Sequence, residues 1–303
     1  MTDFEKMKKA YDVSSKILEK KMEKERPLDL EILRKVKESA IIVVAGQYDK
    51  IELVLDLIKV PYVLIYPSEV DKLELSTDQI LIINCPGNLS DGALDKIKTY
   101  VKNGGFLFTT DWALLNVLEK LFPEKVRYNK MPTRDDCVAV EVVDKGNKFL
   151  EGLFTTDEQP IWWLETSSYP IEIVNKGEVK VLVISKEMQE KYGQAPIVIT
   201  FDYGAGTVLH MTSHYYLQRA ELRTKRHATS AKEYAEKEMG LSEKDIDMDK
   251  LKEVSLGEAE AAYSSAQFIS NVIIEKQKQV IEKEKRKEVK KPEIEKETKK
   301  KKK

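Results

Sequence analysis

Three side chains in this 303-residue sequence can do nucleophilic or acid–base chemistry and fall where loops follow predicted strands: Cys85, Asp111 and His214. A cysteine beside an imidazole makes a Cys–His pair, in which the base activates the thiol. Cys85 precedes Pro86 at a tight turn, and a free cysteine also serves as a small buried apolar side chain, which is the preferred reading. Asp111 either activates a water or orients His214, or it caps a helix starting at Trp112 by accepting a backbone N–H; the cap is preferred. His214, at a strand end, is the strongest single candidate, weighed against a structural hydrogen-bonding role. His210 does not complete a metal pair with it, because an extended chain lacks the helical i, i+4 geometry and no carboxylate partner is evident. No metal is therefore expected. Gly204-x-Gly206 is a turn signal without a following helix, and no Walker sequence exists, so no cofactor is expected either.

Residues so far apart meet only if a fold gathers them. Ile41-Ile42-Val43-Val44-Ala45 is a continuous apolar run, the pattern of a strand covered on both faces. Further strands are predicted at Tyr62–Tyr66, Gln79–Asn84 and Phe106–Thr110, with helices over Tyr48–Lys59 and Asp91–Asn103 between them. The last of these strands leads straight into a helix over Trp112–Leu121. Ser90 is placed to N-cap the second helix and Gly104-Gly105 to stop it. This alternation predicts an α/β fold, a mostly parallel sheet with helices on both faces. After Pro123 the pattern predicts strands at Cys137–Val143, Ile171–Val174, Val179–Ser185 and Ile197–Phe201. A late β-hairpin then returns as Val208–Thr212. All are expected to extend the same sheet. Residues 2–26 predict one helix with an apolar stripe, stopped by Pro27 and docked on the domain. Residues 219–257 read as a helical insertion, and Glu258–Glu275 as a helix packed on the sheet. The expected division is an N-terminal helical segment 1–39, an α/β domain 40–276 and a tail 277–303.

In an open α/β sheet, ligands bind beyond the carboxyl ends of the strands. The expected crevice lining is Tyr48 after the first strand, Asn84 and Gly87 after the third, Thr110 and Trp112 after the fourth, and Ser213 after the hairpin. Trp163 and Glu165 join them from the stretch Trp162–Tyr169. Adjacent tryptophans on an extended segment face opposite ways, one into the core and one toward a crevice, and aromatic plus hydroxyl groups suit a sugar or a flat ligand. The plainer reading is a loop packing its tryptophan over the sheet end.

The order of these elements resembles the class I glutamine amidotransferase-like superfamily over roughly residues 40–275. The resemblance is carried by the early βαβ units, the helix closed by Gly104-Gly105, the sharp turn at Thr109–Ala113, and the Tyr203–Val208 hairpin followed by His214. It implies a flavodoxin-like fold whose sharp turn presents a cysteine in a Gly-x-Cys-x-Gly setting, with a later His-x-Glu completing a triad. Here the turn reads Thr109-Thr110-Asp111-Trp112-Ala113, and Tyr216 stands at the glutamate position. A nucleophile elbow needs small neighbours, and Trp112 is not one. The resemblance thus implies a branch without glutamine amidotransferase activity, a module that binds a small ligand or a protein partner. The alternative is a hydrolase working through His214 with Asp111 or Cys85.

Composition bounds these readings. A 42% hydrophobic share can bury a real core. The 51 Lys+Arg nearly balance the 52 Asp+Glu, yet fourteen Lys/Arg against six Glu fall between Lys276 and Lys303. The body is acidic and the tail basic. The tail reads as frayed helix passing into disorder, a solubilising terminus or a weak contact for nucleic acid or an anionic surface. No apolar run approaches a membrane span, and the first residues lack a secretory signal's apolar core. Two distant cysteines exclude a disulfide framework and fit a reducing cytoplasm. Pairing of the N-terminal helix with a second copy, giving a homo-oligomer, is the alternative to docking.

Overall fold

The computed structural model describes residues 2–153 and 159–300, with side chains through Arg286. Thr2 starts α1 (Asp3–Glu25) with a capping box, its hydroxyl accepting from Glu5 N while the Glu5 carboxylate accepts from Thr2 N. Pro27 opens α2 (Pro27–Arg34). The α1 stripe is buried at Met7, Tyr11, Ile17, Leu18 and Met22. Tyr11 donates to Tyr215 O at 2.9 Å and accepts from Leu217 N, while Ser14 donates to Ala259 O. The helix is docked on its own chain, as expected.

Four strands follow: β1 (Ile41–Val44), β2 (Val63–Ile65), β3 (Ile80–Ile83) and β4 (Phe106–Thr110). Helices α3 (Ile51–Leu57) and α4 (Asp91–Lys102) connect them. β1, β3 and β4 are buried at every position, which is why their sequences do not alternate. Ser90 caps α4 by accepting from Ala93 N, and Gly104, at φ 110°, follows its end.

After β4 the chain makes a turn, one π-helical turn at Leu114–Leu118, and the short α5 (Glu119–Leu121), where one regular helix was expected. The left-handed backbone of Asp111, φ 43°, makes this corner. The later strands are β5 (Val126–Tyr128), β6 (Asp136–Ala139), β7 (Glu141–Val142), β8 (Ile161–Leu164), β9 (Ile171–Ile173) and β10 (Val179–Ile184). Helix α6 (Lys186–Tyr192) precedes the hairpin of β11 (Pro196–Tyr203) and β12 (Gly206–Met211). Gly204 takes φ 61° at the hairpin turn. A Cβ on Gly206 would lie 2.0 Å from Val101 O, so this close approach of the strand to α4 requires a glycine.

The main sheet has the order β2-β1-β3-β4-β12-β11-β10-β7. Its first five strands are mutually parallel, and the last three join antiparallel. Taking β12 as the fifth parallel strand, the order is 2-1-3-4-5, the flavodoxin-like arrangement. The two faces carry separate apolar layers, one shared with α1 and α3 and the other with α4. The predicted α/β class and helices on both faces are observed.

Not every late strand extends that sheet. β5 pairs with β9 and β6 with β8, in separate two-stranded ladders. The predicted strand Cys137–Val143 breaks at Val140, whose N–H turns to Pro160 O. β8 is buried at all four positions because it lies against the long helix, Trp162 donating to Ser264 Oγ at 2.7 Å. Residues 219–257 are mainly irregular rather than helical. They hold α7 (Ala231–Glu233), a π-helical turn at Tyr234–Glu238 and α8 (Met248–Leu251). The Arg226 guanidinium, bonded to Glu238 and Glu260, ties this segment to the body instead. The last helix, α9 (Leu256–Lys300), buries Ala262, Ala266, Phe268, Ile269, Val272 and Ile273. Its helical bounds run to Lys300. Lys and Glu are good helix formers, and pairs such as Glu282–Arg286 support one another along the surface.

Candidate functional site

The strand order reverses at β1 and β3, and the crevice rule places a site beyond their carboxyl ends. Asp111 stands at the centre of what is found there. It follows β4 in the left-handed region, which costs a non-glycine residue on the order of 1 kcal/mol and persists only where the surroundings enforce it. Those surroundings are hydrogen bonds. Tyr169 N donates to Oδ1 at 2.7 Å, Ser168 Oγ donates to Oδ2 at 3.0 Å, and His214 Nε2 lies 3.0 Å from Oδ2. The expected helix cap is therefore a misreading. The carboxylate turns away from the following backbone and is satisfied by residues more than fifty positions distant.

His214 carries a carboxylate on each side of its ring. Nδ1 is 2.6 Å from Glu165 Oε2, an ion-pair separation without the alignment of a hydrogen bond. Trp163, donating from Nε1 to Asp135, presents its ring to the imidazole edge at 5.8 Å between centroids. Burial opposes a charge on His214, but Asp111, Cys85 and Glu165 outweigh it and raise its pKa well above the ordinary 6.5. Burial also raises Asp111, against the opposing pull of His214. With two carboxylates on one ring, the shared proton belongs on the imidazole.

Cys85 ends the row, its Sγ 3.9 Å from Asp111 Oδ2 and its backbone N–H donating to Thr110 Oγ1 at 3.0 Å. Burial pushes the thiol up to about 11, so the thiol form prevails at neutral pH. Cys85, Asp111 and His214 are each about 1% exposed. Their ligating atoms all lie within 4.8 Å of one another.

The rest of the expected lining divides by role. Asn84 is buried and structural, accepting from Ile51 N and donating to Glu52. Gly87 packs on Ala113 with φ 71°. Ser213 is buried with its hydroxyl unpartnered among the described residues. Trp112 donates to Ser167 O, stacks on Tyr169 at 5.3 Å and meets Tyr48 edge-on at 5.1 Å. Tyr169 stacks on Tyr128 at 3.9 Å, so four aromatic rings form a row beside the buried cluster. The two adjacent tryptophans do face opposite ways, from a strand rather than a loop.

Three contributors were not assigned from sequence. Ser168 and Tyr169 hold Asp111, and the Asp49 carboxylate accepts from Tyr215 N and Tyr216 N, fixing the segment that carries His214. Glu165 was placed in the crevice, but not as the acid beside His214. The absence of carboxylate partners, on which a metal was excluded, does not hold, since Asp111 and Glu165 flank the ring. His210 takes no part: its Nδ1 is 2.8 Å from Thr109 Oγ1.

An open sheet in the order 2-1-3-4-5, with a strained corner after its fourth strand and a histidine after its fifth, defines a flavodoxin-like α/β domain. No protein-family model matches the chain, and no curated protein matches it. Similar solved structures include a protein described as ThuA-like from Bacteroides uniformis, at 14% identity and TM-score 0.44, covering 59% of this chain and 83% of that one. A cytoplasmic protein from Salmonella typhimurium is 14% identical at TM-score 0.42, covering 72% of this chain and 99% of its own. An exo-β-1,4-mannosidase from an Opitutaceae bacterium is 10% identical at TM-score 0.41 over 59% of this chain. The present chain spans about a third (32%) of that enzyme's length.

Proposed function

We propose that this is an amidotransferase-like domain, of a branch without the catalytic cysteine and His-x-Glu pair, that binds a ligand rather than hydrolysing glutamine. One observation carries the reading: the corner where that superfamily presents its nucleophile holds a buried carboxylate whose oxygens are occupied by Tyr169 N, Ser168 Oγ and His214. A group so engaged does not attack a carbonyl. Neither thiol supplies a substitute, since burial raises Cys85 and Cys137 alike. His214, with a carboxylate at each ring nitrogen, has no lone pair free to act as a base. The row Tyr48, Trp112, Tyr169 and Tyr128 supplies the binding face, which suits a sugar or a planar group.

Ammonia release from glutamine should equal the background of the enzyme-free control; release lost in a His214→Ala variant would overturn the reading. Binding is tested with p-nitrophenyl glucoside, followed by tryptophan fluorescence. The expected result is saturable quenching that Trp112→Ala weakens about tenfold, the equivalent of 1.4 kcal/mol.

The sequence Asp111, His214, Glu165 also has the order of nucleophile, base and orienting acid, and this favours a hydrolase as the second reading. Turnover of p-nitrophenyl esters that is abolished by Asp111→Asn and reduced by Glu165→Gln would establish it.

A further inference from the structure

We propose that Cys85, Asp111 and His214 bind one Zn2+ ion, an inference that goes beyond the ligand-binding reading and is drawn from the same buried cluster. One sulfur, one imidazole nitrogen and one carboxylate oxygen converge, each from a different strand end of the same sheet, after β3, β4 and β12. Among the described residues they are the group of His, Cys, Asp and Glu with metal-ligand spacing. A tetrahedral ion with bonds of about 2.0–2.3 Å sets its ligand atoms about 3.3–3.8 Å apart. Asp111 Oδ2 lies 3.0 Å from His214 Nε2 and 3.9 Å from Cys85 Sγ, and the third edge, from thiol to imidazole, is within 4.8 Å.

The neighbours are those a zinc site needs. Glu165 beside Nδ1 fixes the ring so that Nε2 faces the ion, the carboxylate–histidine–metal relation seen where a second carboxylate orients a ligand. Tyr169 N holds Oδ1 of Asp111, while Oδ2, which the imidazole and Ser168 share, is the oxygen that faces both other ligands. Ser168 Oγ donates to the same Oδ2 at 3.0 Å. The mixed sulfur, nitrogen and oxygen set selects zinc over magnesium or calcium, which take oxygen ligands. Zn2+ replaces two protons, one from Cys85 Sγ and one shared by His214 Nε2 and Asp111, and both leave to solvent. The buried cluster keeps its net charge, so no further counter-ion is required. The Glu165 side chain is 31% exposed, although the oxygen beside Nδ1 is buried.

The test is titration of the EDTA-treated full-length chain with Zn2+ by calorimetry, and with Co2+ by absorption. One equivalent should bind, raise the melting temperature, and with Co2+ give a thiolate-to-metal charge-transfer band. Cys85→Ser should abolish the band and Cys137→Ser should keep it. Glu165→Gln, at a partly exposed side chain that does not threaten folding, should weaken binding by about 10–100-fold. No heat or absorbance change in the wild type would overturn the proposal, as would a charge-transfer band that survives Cys85→Ser. Either failure leaves the glutamine and glucoside results unaffected, so the two ideas fall separately.

Discussion

Asp111 concentrates the energetics of the strand-end cluster. Removing its carboxylate leaves the imidazolium with Glu165 alone, and a backbone N–H and a hydroxyl without acceptors. Breaking a buried pair in this way costs about 3–5 kcal/mol. Asp111→Ala should therefore lower the urea midpoint strongly, and Asp111→Asn less, because an amide still accepts from Tyr169 N. His210 makes a different prediction. Its pKa is lowered to about 3 by burial, from an ordinary 6.5. Between those values the unfolded chain binds a proton that the native state refuses, so this contribution is complete above pH 6.5 and is lost as pH falls toward 3. Urea unfolding from pH 7 to pH 4 should show a shallower decline in a His210→Gln variant than in the wild type; parallel declines would refute it. Asp111, Cys85 and His214 were legible because their loops follow apolar runs that could only be covered strands. The acid beside His214 was not. A search by spacing reaches Tyr216, whereas the observed acid, Glu165, arrives from β8, and no local pattern encodes a contact between segments forty-nine positions apart.

At the scale of elements, the parallel core was readable because burial on both faces forces continuous apolar sequence, and because Ser90 and the following glycines punctuate α4. The two small ladders were not, since a short strand such as β6 carries no mark of which neighbour it will join. The same holds for 219–257, where Arg226 and its two glutamates organise a segment that composition alone describes as helical. Close approach offers a test at this level. Gly206→Ala would drive a methyl group into Val101 O, and backbone cannot yield as a side-chain tip does. The expected loss is about 1–3 kcal/mol, seen as a lower melting temperature, with the separation of β12 from α4 as its cause.

For the whole molecule, the C-terminal helix has an anchored part and a dispensable part. Lys276, 6% exposed, donates to Thr77 O at 2.7 Å and to Gly104 O, so it belongs to the body. Lys283 reaches the surface carboxylate of Asp78 and the Thr77 hydroxyl, and such exposed contacts contribute about 0–1 kcal/mol. Deleting 280–303 should leave the melting temperature nearly unchanged, whereas ending the chain at Glu275 should lower it measurably. If the tail does engage phosphates, its retention on heparin should fall steeply with salt, and the shortened chain should not be retained. The margins of the main sheet have a further consequence. β2 is three residues long between Pro61 and Pro67, and the opposite margin, β7, has two residues, one of them Glu141, bound to Lys186. Neither flank exposes enough free amides and carbonyls to template another molecule's chain. Strand addition at either flank is thereby disfavoured, and a substitution that lengthened one of them would open a route to fibrous polymer that the native sequence keeps closed.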